Sequence, residues 1–378
     1  MANKIRNNNK TTRRNSKAHN TKSHNTKSHN TKGHNTKGHN TKGHNTKGHN
    51  TKGHNTKSHN TKSHNTKSHN TNNKTEKFKK VTCSPSSKKD FTCYDSKSLH
   101  HMKTEWNNRH RDDKIESNDE RQIWNSLKDK MSEVCNNEQC WLKQKFIENN
   151  LSDDLTIYTF APKAPKKWIE NPNEWLNSTD ITKVMKQYEK EYDDFQFIGP
   201  SPIDFDSKDG GDCVWPTICN FDIEDMIHKE KNKTGFIFNL DPHYKGGSHW
   251  LTMFLNIKDK YLLFFNSTGD GPGKETSALI ERIMTQADNM GMNLKKHINT
   301  KSHQRENTEC GIYCLYCISE LLSGNKEPQD FLTKRISDDD MEALRYKFFA
   351  NPELDHASKH HSKGHDDTDH IDSDDDDI

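Results

Sequence analysis

His303-Gln304-Arg305-Glu306-Asn307-Thr308-Glu309-Cys310-Gly311-Ile312-Tyr313-Cys314-Leu315-Tyr316-Cys317 joins a polar approach to an apolar run at a single cysteine. From Cys310 to Leu322 the residues are mostly apolar or aromatic, which predicts a buried helix with Cys310 in its first turn. Unpaired main-chain N–H groups and the macrodipole at a helix start favour an anion. A cysteine there is expected to have a lowered pKa and an available thiolate, the nucleophilic form. Cys314 and Cys317 follow at four and seven residues, on the packing face of the same helix. A nucleophile at this junction needs a base from elsewhere in the chain.

Upstream, Gly235-Phe236-Ile237-Phe238-Asn239-Leu240 reads as a strand. A Gly246-Gly247-Ser248 turn leads to a second at His249–Ile257, and Tyr261–Phe265 forms a third, ended by Asn266-Ser267-Thr268-Gly269. With a turn centred on Lys258-Asp259, position 249 lies opposite about 268 and Asn266 is its diagonal neighbour on the same face. Diagonal neighbours are roughly 7–8 Å apart, close enough for an amide to reach an imidazole. His249 is thus a candidate base for Cys310, and Asn266 a candidate to fix its tautomer and ring angle. Gln304, six residues before Cys310, is a candidate amide donor to a carbonyl oxygen that gains charge during attack, beside the Cys310 N–H. Each also has a plainer reading: His249 as a packed sheet residue, Asn266 as a turn former, Gln304 as a surface side chain, Cys310 as a small buried hydrophobe. Their order along the chain favours the joint catalytic reading.

Helices are expected at Ile181–Tyr188 behind a Ser178-Thr179-Asp180 cap, around Ile223–His228, at Thr276–Gly291 and at Asp338–Phe349. Strands and helices in this succession predict an α+β domain over residues 168–351. Before it, Ile123, Trp124, Leu127, Met131 and Val134, then Trp141, Leu142, Phe146 and Ile147, predict a helical arm over 118–167, with Pro162 and Pro165 marking its exit. Residues 76–117 read as a polar linker. A zinc site of Cys83, Cys93, His100 and His101 lacks the paired Cys-x2-Cys signature and is not favoured.

The ends differ sharply. Residues 1–80 hold 20 Lys/Arg against the single acid Glu76, and 352–378 hold 10 Asp/Glu against Lys359 and Lys363. From His19 to His69 a Thr-Lys-(Ser/Gly)-His-Asn unit recurs every five residues, a period fitting neither helix nor strand and offering nothing apolar to bury. Residues 1–75 and 352–378 are therefore expected to be disordered tails. The basic tail could bind metal through its histidines or meet an anionic partner, nucleic acid or an acidic protein, though a solvated expanded repeat is the plainer reading. No apolar run is long enough for a membrane span, and no signal peptide is visible. The nine scattered cysteines are accordingly expected as free thiols in a reducing compartment. Cys310-x3-Cys314-x2-Cys317 also has the cluster spacing of radical-SAM enzymes. Those triplets sit in a loop ahead of a barrel, and here only 61 residues follow. A non-catalytic nucleic-acid or virion binding protein is the other rival, opposed by the complete set of candidate residues.

His249-Trp250, then Phe265-Asn266-Ser267, then Gln304, then Glu309-Cys310-Gly311 resembles the pattern of the ubiquitin-like-protein (SUMO) protease family of cysteine peptidases. Phe265-Asn266-Ser267-Thr268-Gly269, His303-Gln304-Arg305 with Thr308-Glu309-Cys310-Gly311, and Arg335-Ile336-Ser337-Asp338 resemble in particular the polyprotein-processing proteases of large DNA viruses, that of African swine fever virus among them. The resemblance implies a papain-like core with a mixed central sheet flanked by helices. It implies a thiol endopeptidase that cuts after Gly-Gly in viral structural polyproteins, with His249, Asn266 and Cys310 as triad, Gln304 in the oxyanion position, and no metal or cofactor. Trp250, beside the histidine, and Trp175, in a Trp-Leu-Asn motif, would enclose a passage that only glycines can thread. Asn266 in place of the usual Asp, and Glu309 where Asp usually precedes the cysteine, depart from most cellular members. These departures favour the viral reading over a deSUMOylating or deubiquitinating isopeptidase. The expected setting is the host cytoplasm at the virus factory, with packaging in the virion as an extension.

Overall fold

The computed structural model describes residues 77–148 and 153–351. The repeat tail and the acidic tail lie outside these residues.

Residues 77–117, within the stretch read above as a linker, instead supply half of a folded arm. Helix α1 (Ser96–Arg109) is capped by Asp95, whose carboxylate accepts from the Ser98 N–H at 2.7 Å. Helix α2 (Glu120–Lys130) is capped in the same way by Asp119. Leu99, Met102 and Trp106 of α1 pack with Ile123 and Leu127 of α2 around the fully buried Trp141. The spacing 99-102-106 is a helical stripe, diluted in the sequence by the six charged or His residues of the helix. Cys83 and Cys93 form a disulfide, as do Cys135 and Cys140, and Cys213 and Cys219. The expectation of free thiols therefore holds only for Cys310, Cys314 and Cys317, all buried. The pairing of Cys83 with Cys93 also removes the zinc reading. Among the described residues no group of His, Cys, Asp and Glu is placed to hold a metal, and no helix is long and apolar enough to cross a membrane.

The second half is organised by a five-stranded mixed sheet. After helix α3 (Ser178–Glu191) come β1 (Phe195–Pro202), β2 (Lys233–Asn239), β3 (Trp250–Asn256) and β4 (Tyr261–Phe265). Helix α4 (Lys274–Asn289), β5 (Lys295–Ile298), α5 (Cys310–Ser323) and α6 (Asp338–Phe348) follow. The strands lie in chain order, with the two outer pairs parallel and the inner pairs antiparallel. The parallel outer strands were not read from sequence: β1 is interrupted by Gly199-Pro200 and β5 is only four residues long.

Both faces of the sheet are covered, and the strand period of two divides their residues between them. Trp250 and Phe254 of β3, Leu263 and Phe265 of β4, and Ile237 of β2 join the core beneath α3, α5 and α6. Leu251, Met253 and Leu255, Leu262 and Phe264, and Phe236 and Phe238 join the opposite core under α4. Two-sided burial explains the nearly continuous apolar runs of these strands. Gly235 permits a close approach of α5, since a Cβ there would lie 3.1 Å from the Ile318 side chain.

Candidate active site

The β3–β4 hairpin sets the first geometry. Thr252 pairs with Phe265 and Asn256 with Tyr261, so the register extended outward places 249 opposite 268, as the sequence predicted. His249 Nε2 lies 2.8 Å from Asn266 Oδ1. An amide oxygen only accepts, so Nε2 carries the proton and Nδ1 is left as the basic nitrogen. Asn266 is itself held: its Oδ1 also accepts from the Thr268 hydroxyl at 3.0 Å, and its carbonyl accepts from Asn299 Nδ2 at 2.7 Å. Asn299 is fully buried and was not anticipated, because nothing in its local sequence distinguishes it from many other Asn residues.

Cys310 begins α5 and is 2% exposed. Its thiol accepts from the main-chain N–H groups of Trp250 and Gly311. The sulfur therefore sits against the peptide joining His249 to Trp250. Burial nevertheless pushes the Cys310 thiol up, outweighing these N–H groups. The expectation of a lowered pKa from the helix start alone fails because desolvation is the larger effect. Cys314 and Cys317 are raised further by complete burial, which leaves Cys310 as the thiol with N–H partners at the start of the helix.

Gln304 is anchored at both ends of its amide. Its Oε1 accepts from the Ser267 hydroxyl at 2.7 Å, and Nε2 donates to the Glu306 carbonyl at 2.6 Å. A carbonyl cannot donate, so this orientation is forced, and the second N–H of Nε2 remains available. The Ser267 carbonyl accepts from the N–H groups of His303 and Gln304 at 2.8 and 2.9 Å. The loop bearing Gln304 is thus locked to the loop bearing Asn266. Gly269, at φ +84°, makes this fit possible: a Cβ would lie 2.6 Å from the Ser302 nitrogen.

Glu309, just before the cysteine, is buried and gripped by Arg345 of α6, whose Nε lies 2.9 Å from both carboxylate oxygens. Burial pushes the Glu309 carboxyl up while the guanidinium draws it back. Arg345 also donates to the Glu174 carbonyl at 2.7 Å and to the Thr308 carbonyl at 3.3 Å. One side chain therefore ties the start of α5 to the segment carrying Trp175. The sequence signal for it was the acid at 309, since a buried carboxylate requires a cation.

Trp175 and Trp250 line a single groove of about 1130 Å³, together with Trp215, which the sequence reading missed. Trp250 is nearly buried and donates its indole N–H to the Leu176 carbonyl at 2.9 Å, whereas Trp175 is 36% exposed. Leu176 packs on Gly311, where a Cβ would come within 3.0 Å of it. The Trp250 end of the groove thus adjoins Cys310, and the His249–Asn266 pair stands at the same end.

Residues 229–357 match the model of the Ulp1 protease family, C-terminal catalytic domain. A protein of Acanthamoeba polyphaga mimivirus described as a thiol protease is 29% identical over 239 residues, covering 62% of this chain and 76% of that protein. The SUMO-1 cysteine protease of African swine fever virus is 30% identical over 133 residues, 33% of this chain and 46% of that protein. The chain thus spans about half the length of the African swine fever virus relatives. The crystal structure of the African swine fever virus protease shares the fold, with a TM-score of 0.53 at 20% identity over 71% of this chain and 95% of that one. Residues 229–357 thus match a Ulp1-type cysteine protease domain, and the chain is similar to thiol and cysteine proteases of large viruses.

Proposed function

We propose that the protein is a viral thiol endopeptidase that cleaves after Gly-Gly and matures structural polyproteins, with Cys310 as nucleophile, His249 as base, Asn266 as its orienting partner and Gln304 as oxyanion donor. One observation carries this reading: the 2.8 Å His249–Asn266 contact lies at the same step of β3 whose Trp250 N–H reaches the Cys310 thiol. In this mechanism His249 Nδ1 takes the thiol proton and the thiolate attacks the scissile carbonyl carbon. The carbonyl oxygen becomes an oxyanion that accepts from the free Gln304 N–H and the Cys310 main-chain N–H. His249 returns the proton to the amine as the C–N bond breaks, leaving a thioester on Cys310. Water, deprotonated by the same imidazole, hydrolyses the thioester and restores the thiol. Trp175 and Trp250 on the groove walls favour glycine immediately before the scissile bond, where a side chain would meet an indole face.

A second reading has its own support, the description of the African swine fever virus relatives as SUMO-1 cysteine proteases. It assigns the same chemistry to ubiquitin-like conjugates. Purified protein offered Gly-Gly-Xaa peptides alongside SUMO and ubiquitin C-terminal reporters separates the two. The first predicts turnover of peptides exceeding that of both reporters, and a preference for either folded reporter would support the second. The proposed setting is the virus factory in the host cytoplasm, with the enzyme carried into particles. Mass spectrometry of purified virions tests the last point, and absence of the chain from them would remove it.

A further inference from the structure

The exposed face of α3 leads away from the groove and carries cations on successive turns. Lys183 and Lys186 line the groove itself, and Lys190, one further turn along, lines a second cleft of about 810 Å³ between α3 and the arm. The spacing of three and four residues keeps the three lysines on one stripe. The acids of this helix do not interrupt it. Asp180 is buried in the N-terminal capping box, and Glu189 accepts from the Phe197 N–H at 2.7 Å and Gln196 Nε2 at 2.9 Å. Glu191 is neutralised by Lys88. In the arm cleft the stripe meets Ser86, Ser87 and the exposed Lys97, beside His101, whose Nε2 is buried without a hydrogen-bond partner.

We infer that this stripe is an exosite for an acidic stretch of the protein substrate, running from Lys183 and Lys186 in the groove through Lys190 to the Lys97 cleft of the arm. The inference rests on the proposed Gly-Gly reading for its direction. If the glycines sit between Trp175 and Trp250, the chain beyond them along the groove is the part preceding the cleavage site. Lys183 and Lys190 stand seven residues apart on α3, so this part of the stripe extends about 10 Å, a length covered by about three extended residues. Acidic residues are therefore recognised over several positions that precede the Gly-Gly pair. The folded arm contributes part of substrate selection by supplying the far end of the stripe.

The full chain is assayed on two fluorogenic peptides that share Gly-Gly-Xaa and differ upstream, one carrying six Asp/Glu and the other Ser/Asn. At low salt, about 50 mM, where screening is weak, the acidic peptide is expected to show a KM roughly tenfold lower at equal kcat, as three exposed attractive pairs would give. The advantage should shrink at about 300 mM salt. The variant K183E/K186E/K190E, checked for folding by circular dichroism, should lose the advantage of the acidic peptide over the neutral one. Equal KM for the two peptides, with the neutral one cleaved, would overturn the exosite and leave the Gly-Gly reading standing. Turnover of neither peptide would remove that reading and the exosite with it.

Discussion

Each of the four central side chains is tied to a polar partner of its own. His249 is oriented by Asn266 and Gln304 by Ser267 and Glu306, while Cys310 is reached by the Trp250 N–H. His249→Ala is expected to lower kcat by about 10²–10⁴-fold, the usual worth of a positioned acid–base group. Asn266→Asp should retain turnover better than Asn266→Ala, because Asp keeps an acceptor for Nε2–H. For Gln304→Ala the expectation is a fall of roughly 10²-fold in kcat with little change in KM, since the oxyanion exists only along the reaction path. An equal rise in KM would instead mark Gln304 as a binding residue. The order His249, Asn266, Gln304, Cys310 was legible from sequence because the hairpin register is set by a short turn. The support behind it, Asn299 and Arg345, was not: each acts across 33 or more residues, and although the acid at 309 calls for a cation, nothing near 345 marks that arginine as the one. His303, next to Gln304, is fully buried, donates from Nε2 to the Phe331 carbonyl at 2.9 Å and accepts at Nδ1 from the Ile336 N–H at 3.1 Å. Both nitrogens are used by the neutral ring, and burial lowers its pKa. The unfolded chain then binds the proton first, so stability contributed here is present above about pH 6.5 and falls as pH drops below it. Chemical denaturation between about pH 5 and pH 8 should show a shallower acid loss for His303→Gln than for the parent. Identical pH slopes would contradict this assignment.

Among elements, α5 is the most constrained. Its apolar run predicted the helix, and Gly235 and Gly311 let it lie close to β2 and to Leu176, while Glu309 fixes its first turn to α6 through Arg345. Arg345→Met leaves the Glu309 carboxylate buried and unpaired, with an expected loss of about 3–5 kcal/mol in equilibrium unfolding. Combining it with Glu309→Gln should recover part of that loss. A loss under about 1 kcal/mol for the single variant would show that the pair is not a structural clamp. Gly269→Ala tests the loop interlock, and the cost should be about 1–3 kcal/mol for a left-handed backbone and the collision with Ser302. The inner strands were readable because their runs are long and bounded by turns. The outer strand β5 and helix α1 were not, since one is four residues long and the other is predominantly polar. Only tertiary pairing reveals them.

At the scale of the whole molecule, main-chain pairing joins residues 77–117 to the exit of the arm, and that exit to the catalytic half. The Ala161 N–H donates to the Thr82 carbonyl at 3.0 Å, and the Ala350 N–H donates to the Pro162 carbonyl at 2.8 Å. The expected polar linker is therefore part of the body that supports the protease, and its Cys83–Cys93 disulfide closes a short loop in it. Deleting residues 1–75 is expected to leave kcat/KM on a neutral peptide unchanged, and a loss of turnover with folding intact would show that the repeat contributes to catalysis. The central claim is that Cys310 is the nucleophile served by His249. It is tested most directly by turnover of a Gly-Gly-Xaa peptide in the wild type, Cys310→Ala and Cys314→Ala, with alkylation of each thiol followed by mass spectrometry. The account predicts that only Cys310→Ala abolishes cleavage and that Cys310 is alkylated first, more slowly in His249→Ala. Residual cleavage by Cys310→Ala, or a Cys310 no more reactive than Cys314, would contradict it.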